Sequence, residues 1–191
     1  MYNKDERGNV MKIKDSKGIT MVALVVTVIV IMILAGITVY MGTGTIRNTA
    51  LQTFKTNMLL IEAKAREYVE NASYDLGVKP AEATPEMINK AKSELKGTPT
   101  TESDKSKLQE MGIDSSITNT EYVYIYKLST DDLREMGIND VDSDDTDGWY
   151  IVIYNIPDVS VKVYNTTGFE ISDGNTKYGL DDIRDIDTVG E

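Results

Sequence analysis

The side chains that carry most enzyme chemistry are missing from this sequence. Its 191 residues include no histidine and no cysteine. That excludes a histidine base, a thiol nucleophile, a disulfide framework and a zinc site built on imidazole or thiolate. What remains is oxygen chemistry. The densest group of oxygens is the run from Asp140 to Gly148, in which Asp140, Asp142, Asp144, Asp145 and Asp147 crowd together. Hard cations such as calcium gather several carboxylates at one place. The EF-hand spacing fails, however. Asp145 stands where that loop needs glycine, and no glutamate closes it. The run reads first as a solvated acidic loop, with calcium on those five aspartates as the alternative. No other cofactor is expected.

A second candidate is the tyrosine row Tyr122, Tyr124 and Tyr126. Aromatic side chains at that spacing can stack bases or sugars. They read first, however, as one face of a sheet, buried or at a subunit contact. The net charge of −11 opposes any general grip on nucleic acid. No phosphate loop, nucleophile elbow or metal cluster is present, so the expectation is a non-enzymatic protein.

The elements that would position these groups follow from a charge step. Residues 1–18 carry 5 basic and 3 acidic side chains; the remainder carries 15 basic and 28 acidic. Between them Ile19 to Ile46 holds no charge, and its apolar core is Ile19–Tyr40. As a helix those 22 residues span about 33 Å, enough to cross a bilayer core. Many are β-branched and would favour a strand in water. In lipid an isolated strand leaves its backbone groups unpaired, so the helix wins. Ile19, Leu24, Ile29, Ile33, Leu34 and Tyr40 are taken as anchor residues. Lysines before the run and acidic bulk after it place the N-terminus in the cytoplasm and residues 47–191 outside. A cleavable secretory signal predicts a shorter run with a small-residue site behind it, which this sequence lacks.

The junction ahead of the run reads Lys17-Gly18-Ile19-Thr20-Met21-Val22-Ala23-Leu24. It resembles the prepilin signal of type IV pilins and type II secretion pseudopilins, closely over about 25 residues and in outline beyond them. In that family a short basic leader ends in glycine, and an apolar residue opens a long membrane helix. The resemblance implies cleavage between Gly18 and Ile19 by a prepilin peptidase, with Lys17 and Gly18 recognised and Ile19 methylated as the new N-terminus. It implies other pilin or pseudopilin subunits, an inner assembly platform and membrane lipid as partners. Some pseudopilins also hold calcium in a loop of their sheet. One position departs from the pattern. Most family members carry glutamate at the fifth mature position, which is Ala23 here. In the family that carboxylate is thought to meet the N-terminal amine of a neighbouring subunit, and a lone carboxylate in lipid is unfavourable. Ala23 removes both the penalty and the pairing. Translation from Met1 or from Met11 both leave a basic leader.

Two readings of another class stay open. One is an uncleaved single-pass membrane protein with an outward binding domain. The other is an enzyme or glycan-binding module released by signal peptidase.

Beyond Tyr40, the glycines in Met41–Thr45 predict a weak point in the helix. Ile46, Ala50, Phe54, Met58, Ile61, Ala65, Tyr68 or Val69, and Ala72 then recur every three or four residues, which predicts an amphipathic continuation over 41–72. Thr84-Pro85-Glu86 starts a short helix that Gly97 closes. Thr98–Ser106 reads as exposed and polar. The motif Leu108-Gln109-Glu110-Met111-Gly112-Ile113 returns as Leu133-Arg134-Glu135-Met136-Gly137-Ile138. Each copy predicts a last helical turn, a glycine stop and an apolar residue folding back. Strands are predicted at Tyr122–Leu128, Trp149–Tyr154 and Val159–Tyr164, with Ile156-Pro157-Asp158 as a hairpin connection. The expected fold class is α+β and pilin-like. A leader (1–18), a membrane helix (19–40) and its amphipathic continuation (41–72) precede an exported domain (73–191). There short helices lead into about three antiparallel strands that pack on the long helix.

Overall fold

The computed structural model of the chain describes residues 17–114, 122–172 and 174–189; within the long helix, the side chains of 17–23, 25, 26 and 33–43 lie outside that description. The leader up to Ser16 is likewise outside it. The chain is α+β and divides into two units, Met1–Ile46 and Arg47–Glu191. The first helix, α1, runs Lys17–Leu76 and contributes to both. Its backbone stays helical through Met41–Thr45, where the glycines predict a weak point. Each helical glycine costs about 1 kcal/mol, which a ladder of flanking hydrogen bonds tolerates.

In the first unit the described side chains of α1 are exposed. Val28, Ile29, Val30, Ile31 and Met32 are 43–68% accessible, and Leu24 is 64%. Five consecutive residues at 100° each go fully round a helix, so no face of this stretch is covered. Thr27 turns its hydroxyl back to the Leu24 carbonyl at 2.8 Å, satisfying it within the helix. Among the described residues no helix is long and apolar enough to cross a membrane; of the Ile19–Tyr40 run, that description takes in only Leu24 and 27–32.

The second unit is built on a five-stranded antiparallel meander in the order β1-β2-β3-β4-β5. The strands are β1 (Thr98–Pro99), β2 (Val123–Leu128), β3 (Tyr150–Asn155), β4 (Ser160–Ser172) and β5 (Asn175–Gly179). Three were predicted. β4 is longer than expected, and the two edge strands were missed. β1 lies within the segment read as exposed polar chain, and both its residues are exposed.

One sheet face packs on α1. Met58, Ile61, Ala65, Val69, Ala72 and Leu76 meet Tyr124, Tyr126, Leu128, Tyr150, Val152 and Tyr154 in the main core. The predicted stripe is right from Met58 to Ala72, but Leu51 is buried in place of Ala50, and Ile46 is 68% exposed. Leu51, Met58, Ala65 and Ala72 share a seven-residue period, which sets the buried line one residue beyond Ala50. Beyond β5 the short helix α5 (Leu180–Ile183) turns the chain back along α1. Arg184 pairs with Glu62 at 3.0 Å, Lys55 Nζ donates to the Ile186 carbonyl at 3.1 Å, and the Val189 N–H donates to Asn48 at 2.8 Å.

The opposite sheet face carries a smaller cluster of Leu108, Met111, Ile113, Ile125 and Ile151. Its cover is α3 (Lys105–Glu110), while α4 (Thr130–Glu135) sits on the main core. The repeated motif supplies both. Gly112 and Gly137 have φ of 74° and 82°, and the following N–H reaches back five residues in each copy, Ile113 to Leu108 and Ile138 to Leu133, both at 2.8 Å. This is the left-handed helix stop the sequence predicts. The preceding helix, α2 (Pro85–Glu94), starts as expected, with Thr84 accepting from the Met87 N–H. Gly97 does not close it. The helix ends at Glu94, and Gly97 instead lets the chain approach β2, where a Cβ would meet the Lys127 carbonyl oxygen at 2.9 Å.

Candidate functional site

The predicted processing residues Lys17, Gly18 and Ile19 form the first turn of α1. Of the predicted anchors, Leu24 and Ile29 are exposed at 64% and 50%. The side chains of Ile19, Ala23, Ile33, Leu34 and Tyr40 lie outside the description.

The tyrosine row is not an open ladder. Tyr124 and Tyr126 are 6% and 5% exposed, on the face that packs against α1. The Tyr126 ring meets Tyr154 edge-on at 5.8 Å between centroids. This is the sheet-face reading.

The acidic run is a loop whose alternation has a packing cause. Val141 and Ser143 point inward, at 4% and 1% exposure, and leave Asp140 and Asp142 outside. Ser143 fixes the loop to the sheet. Its hydroxyl donates to the Leu128 carbonyl at 2.6 Å and accepts from the Tyr150 N–H at 2.9 Å. Asp144 accepts from the N–H groups of Thr146 and Asp147, and the two donors hold its carboxyl below the usual range. Asp145 accepts from the Trp149 indole N–H at 2.8 Å, and Asp142 lies 3.9 Å from Arg134. Among the described residues no three carboxylates come close enough to hold a metal ion, so Asp140, Asp142, Asp144, Asp145 and Asp147 are not brought together as a calcium site.

A feature not singled out from the sequence lies beside this loop. A cleft of about 550 Å³ opens between α3, the acidic loop and residues of β2, β3, β4 and β5. Two half-buried aromatic residues line it, Trp149 and Tyr178. Gly148 positions the first. Its φ is +87°, and a Cβ there would collide with Thr167 and Asn165. Asn165, 1% exposed, braces the turn by accepting from the N–H groups of Thr167 and Gly168.

Both rings sit in matching charge environments. The Lys127 ammonium lies 4.5 Å from the Trp149 ring centre, and the indole N–H is held by Asp145. The Lys107 ammonium lies 5.4 Å from the Tyr178 ring centre, and the phenol donates to Glu110 at 2.9 Å. Lys107 also pairs with Glu110 at 3.0 Å; that contact and the phenol together lower the Glu110 carboxyl, and Glu110 raises the Tyr178 phenol. Lys127 reaches Asp104 at 3.7 Å. Burial pushes the Asp104 carboxyl up, but donation from Thr101 and the nearby Lys127 outweigh it and leave it below the usual range. The cleft thus holds cations and anions in pairs, with threonine hydroxyls between them. The sequence hides this, because Lys107, Trp149 and Tyr178 converge only once the meander is paired. The lone tryptophan beside a glycine was the available signal.

No protein-family model, no curated protein and no solved structure matches this chain.

Proposed function

We propose that this chain is a structural, non-enzymatic subunit of a type IV pilus or a type II secretion-like pseudopilus. In this reading it is made as a prepilin, cut between Gly18 and Ile19 by a prepilin peptidase, methylated at Ile19 and assembled through its N-terminal helix. The observation that carries the reading is the junction Lys17-Gly18-Ile19-Thr20, set directly against 28 uncharged residues. Peptidase recognition needs leader and membrane helix to abut, and a glycine lets the enzyme approach the backbone.

Three features support it. The uncharged run and the amphipathic stripe belong to one helix. The described apolar side chains of the run are exposed all round, which suits lipid before assembly and neighbouring helices after it. The C-terminal part of α1 packs on an antiparallel meander, the layout the family resemblance implies. Residues 47–191 would lie outside the cell, with the leader in the cytoplasm. Partners would be lipid, the inner assembly platform and further subunits.

Assembly is tested by cross-linking. The chain has no cysteine, so Leu24→Cys places a single thiol in the helix. One thiol per chain allows one S–S bond between two subunits, so the reading predicts disulfide-linked dimers, formed under oxidation, in material sheared from cells. Exclusively monomeric Leu24→Cys protein, retained in the membrane fraction, argues against assembly. Ala23 in place of the family glutamate favours one second reading, an uncleaved single-pass protein with an outward domain, and retention of residues 1–18 would identify it.

A further inference from the structure

We infer that the cleft between Trp149 and Tyr178 is a saccharide-binding site, suited to a short neutral oligosaccharide of equatorially linked pyranoses. The inference rests on the second unit alone and holds whether or not the chain is cleaved or assembled.

The volume comes first. About 550 Å³ falls within the range of small-molecule clefts, roughly 300–1,000 Å³. The aromatic geometry comes second. Trp149 directly precedes β3 and Tyr178 lies on β5, with β4 between these two strands, which puts the strands about 10 Å apart. A linked pair or triplet of sugar rings spans such a distance, whereas a single flat ring does not. The face of an aromatic ring is electron-rich and attracts the weakly positive C–H groups on the flat side of an equatorial pyranose.

The polar groups then select among ligands. A sugar hydroxyl both donates and accepts, so it needs both kinds of partner close together. Lys107 and Lys127 donate, Glu110 and Asp145 accept, and Thr167 and Thr176 do either. An anionic ligand fits poorly. Each lysine already faces a carboxylate, and Asp144 and Asp145 add uncompensated negative charge at the rim. That disfavours phosphates, uronic acids and nucleic acid alike. A neutral polyol takes the paired lysines and carboxylates as donors and acceptors and brings no charge to meet the negative rim.

The site reports on itself, because Trp149 is the only tryptophan in the chain. The experiment titrates the full chain, held in micelles of a zwitterionic detergent without a sugar headgroup, with cellotetraose and separately with chitotetraose. Indole fluorescence is the readout. The expected result is a saturable change with at least one of them, at a dissociation constant of about 1 mM or tighter. Tyr178→Ala is expected to weaken it about tenfold. Glu110→Gln, at an exposed carboxylate, is expected to weaken it about threefold and keeps the test available if Tyr178→Ala does not fold. Tyr74→Ala, at a residue 86% exposed on α1, leaves it unchanged. No saturable change with either sugar up to about 10 mM overturns the inference. Saturable binding that both Tyr178→Ala and Glu110→Gln leave intact overturns it as well.

Discussion

The backbone N–H of Ile138 donates to the Leu133 carbonyl at 2.8 Å, and the same bond at the same length joins Ile113 to Leu108. Two copies of one six-residue motif thereby cap two helices on opposite faces of one sheet. Leu133, Met136 and Ile138 enter the main core; Leu108, Met111 and Ile113 enter the smaller cluster. A local stop signal has been used twice to seat a leucine, a methionine and an isoleucine.

Gly112→Ala and Gly137→Ala should each destabilise the protein by about 1–2 kcal/mol. A Cβ at either position meets nothing within 4 Å, so the loss is conformational rather than steric. Chemical denaturation of the two variants checks this, and asparagine at either site should recover part of the loss.

Calcium should not stabilise the fold. Asp144 and Asp145 are committed to Thr146, Asp147 and Trp149, and Asp142 lies toward Arg134. A ligand stabilises only by its preference for the folded state. Melting curves with calcium at about 1 mM and with chelator should coincide within about 1 °C.

Stability should fall at alkaline pH. Burial raises the phenols of Tyr154, Tyr150, Tyr126 and Tyr124 above their ordinary value of 10.0. The unfolded chain therefore releases these protons first, near pH 10, while the folded chain keeps them. Their contribution is complete below pH 10 and is lost as pH rises above it. The ultraviolet absorbance of tyrosinate should lag in the folded protein and rise together with loss of helical circular dichroism. Full ionisation of every tyrosine before any unfolding would contradict the buried placement.

Much of this architecture was legible because it is written in local pattern. The uncharged run, the stripe Met58 to Ala72, the Thr84 cap and the doubled glycine stop each need only neighbours within one or two turns. The three central strands show through their tyrosine and aliphatic residues. The edge strands do not. Thr98–Pro99 reads as part of an exposed polar segment, and Asn175–Gly179 is polar and becomes a strand only by pairing with β4. The acidic run reads first as a solvated loop, and Asp140, Asp142, Asp145 and Asp147 are exposed. Its alternation reflects Val141 and Ser143 pointing into the protein, not oxygens converging on an ion. The Trp149 cleft was hidden because its walls come from residues 104 to 178, joined by strand order rather than by spacing.

The central claim is that the chain is processed as a prepilin, and the mass of its N-terminus tests that most directly. The protein is isolated from membranes of cells with and without the candidate prepilin peptidase, and its N-terminal peptide is weighed. The account predicts a chain beginning at Ile19, carrying one added methyl group, only where the peptidase is present. A chain that begins at Met1 or Met11 in both preparations contradicts it, and an uncleaved single-pass protein becomes the reading to pursue.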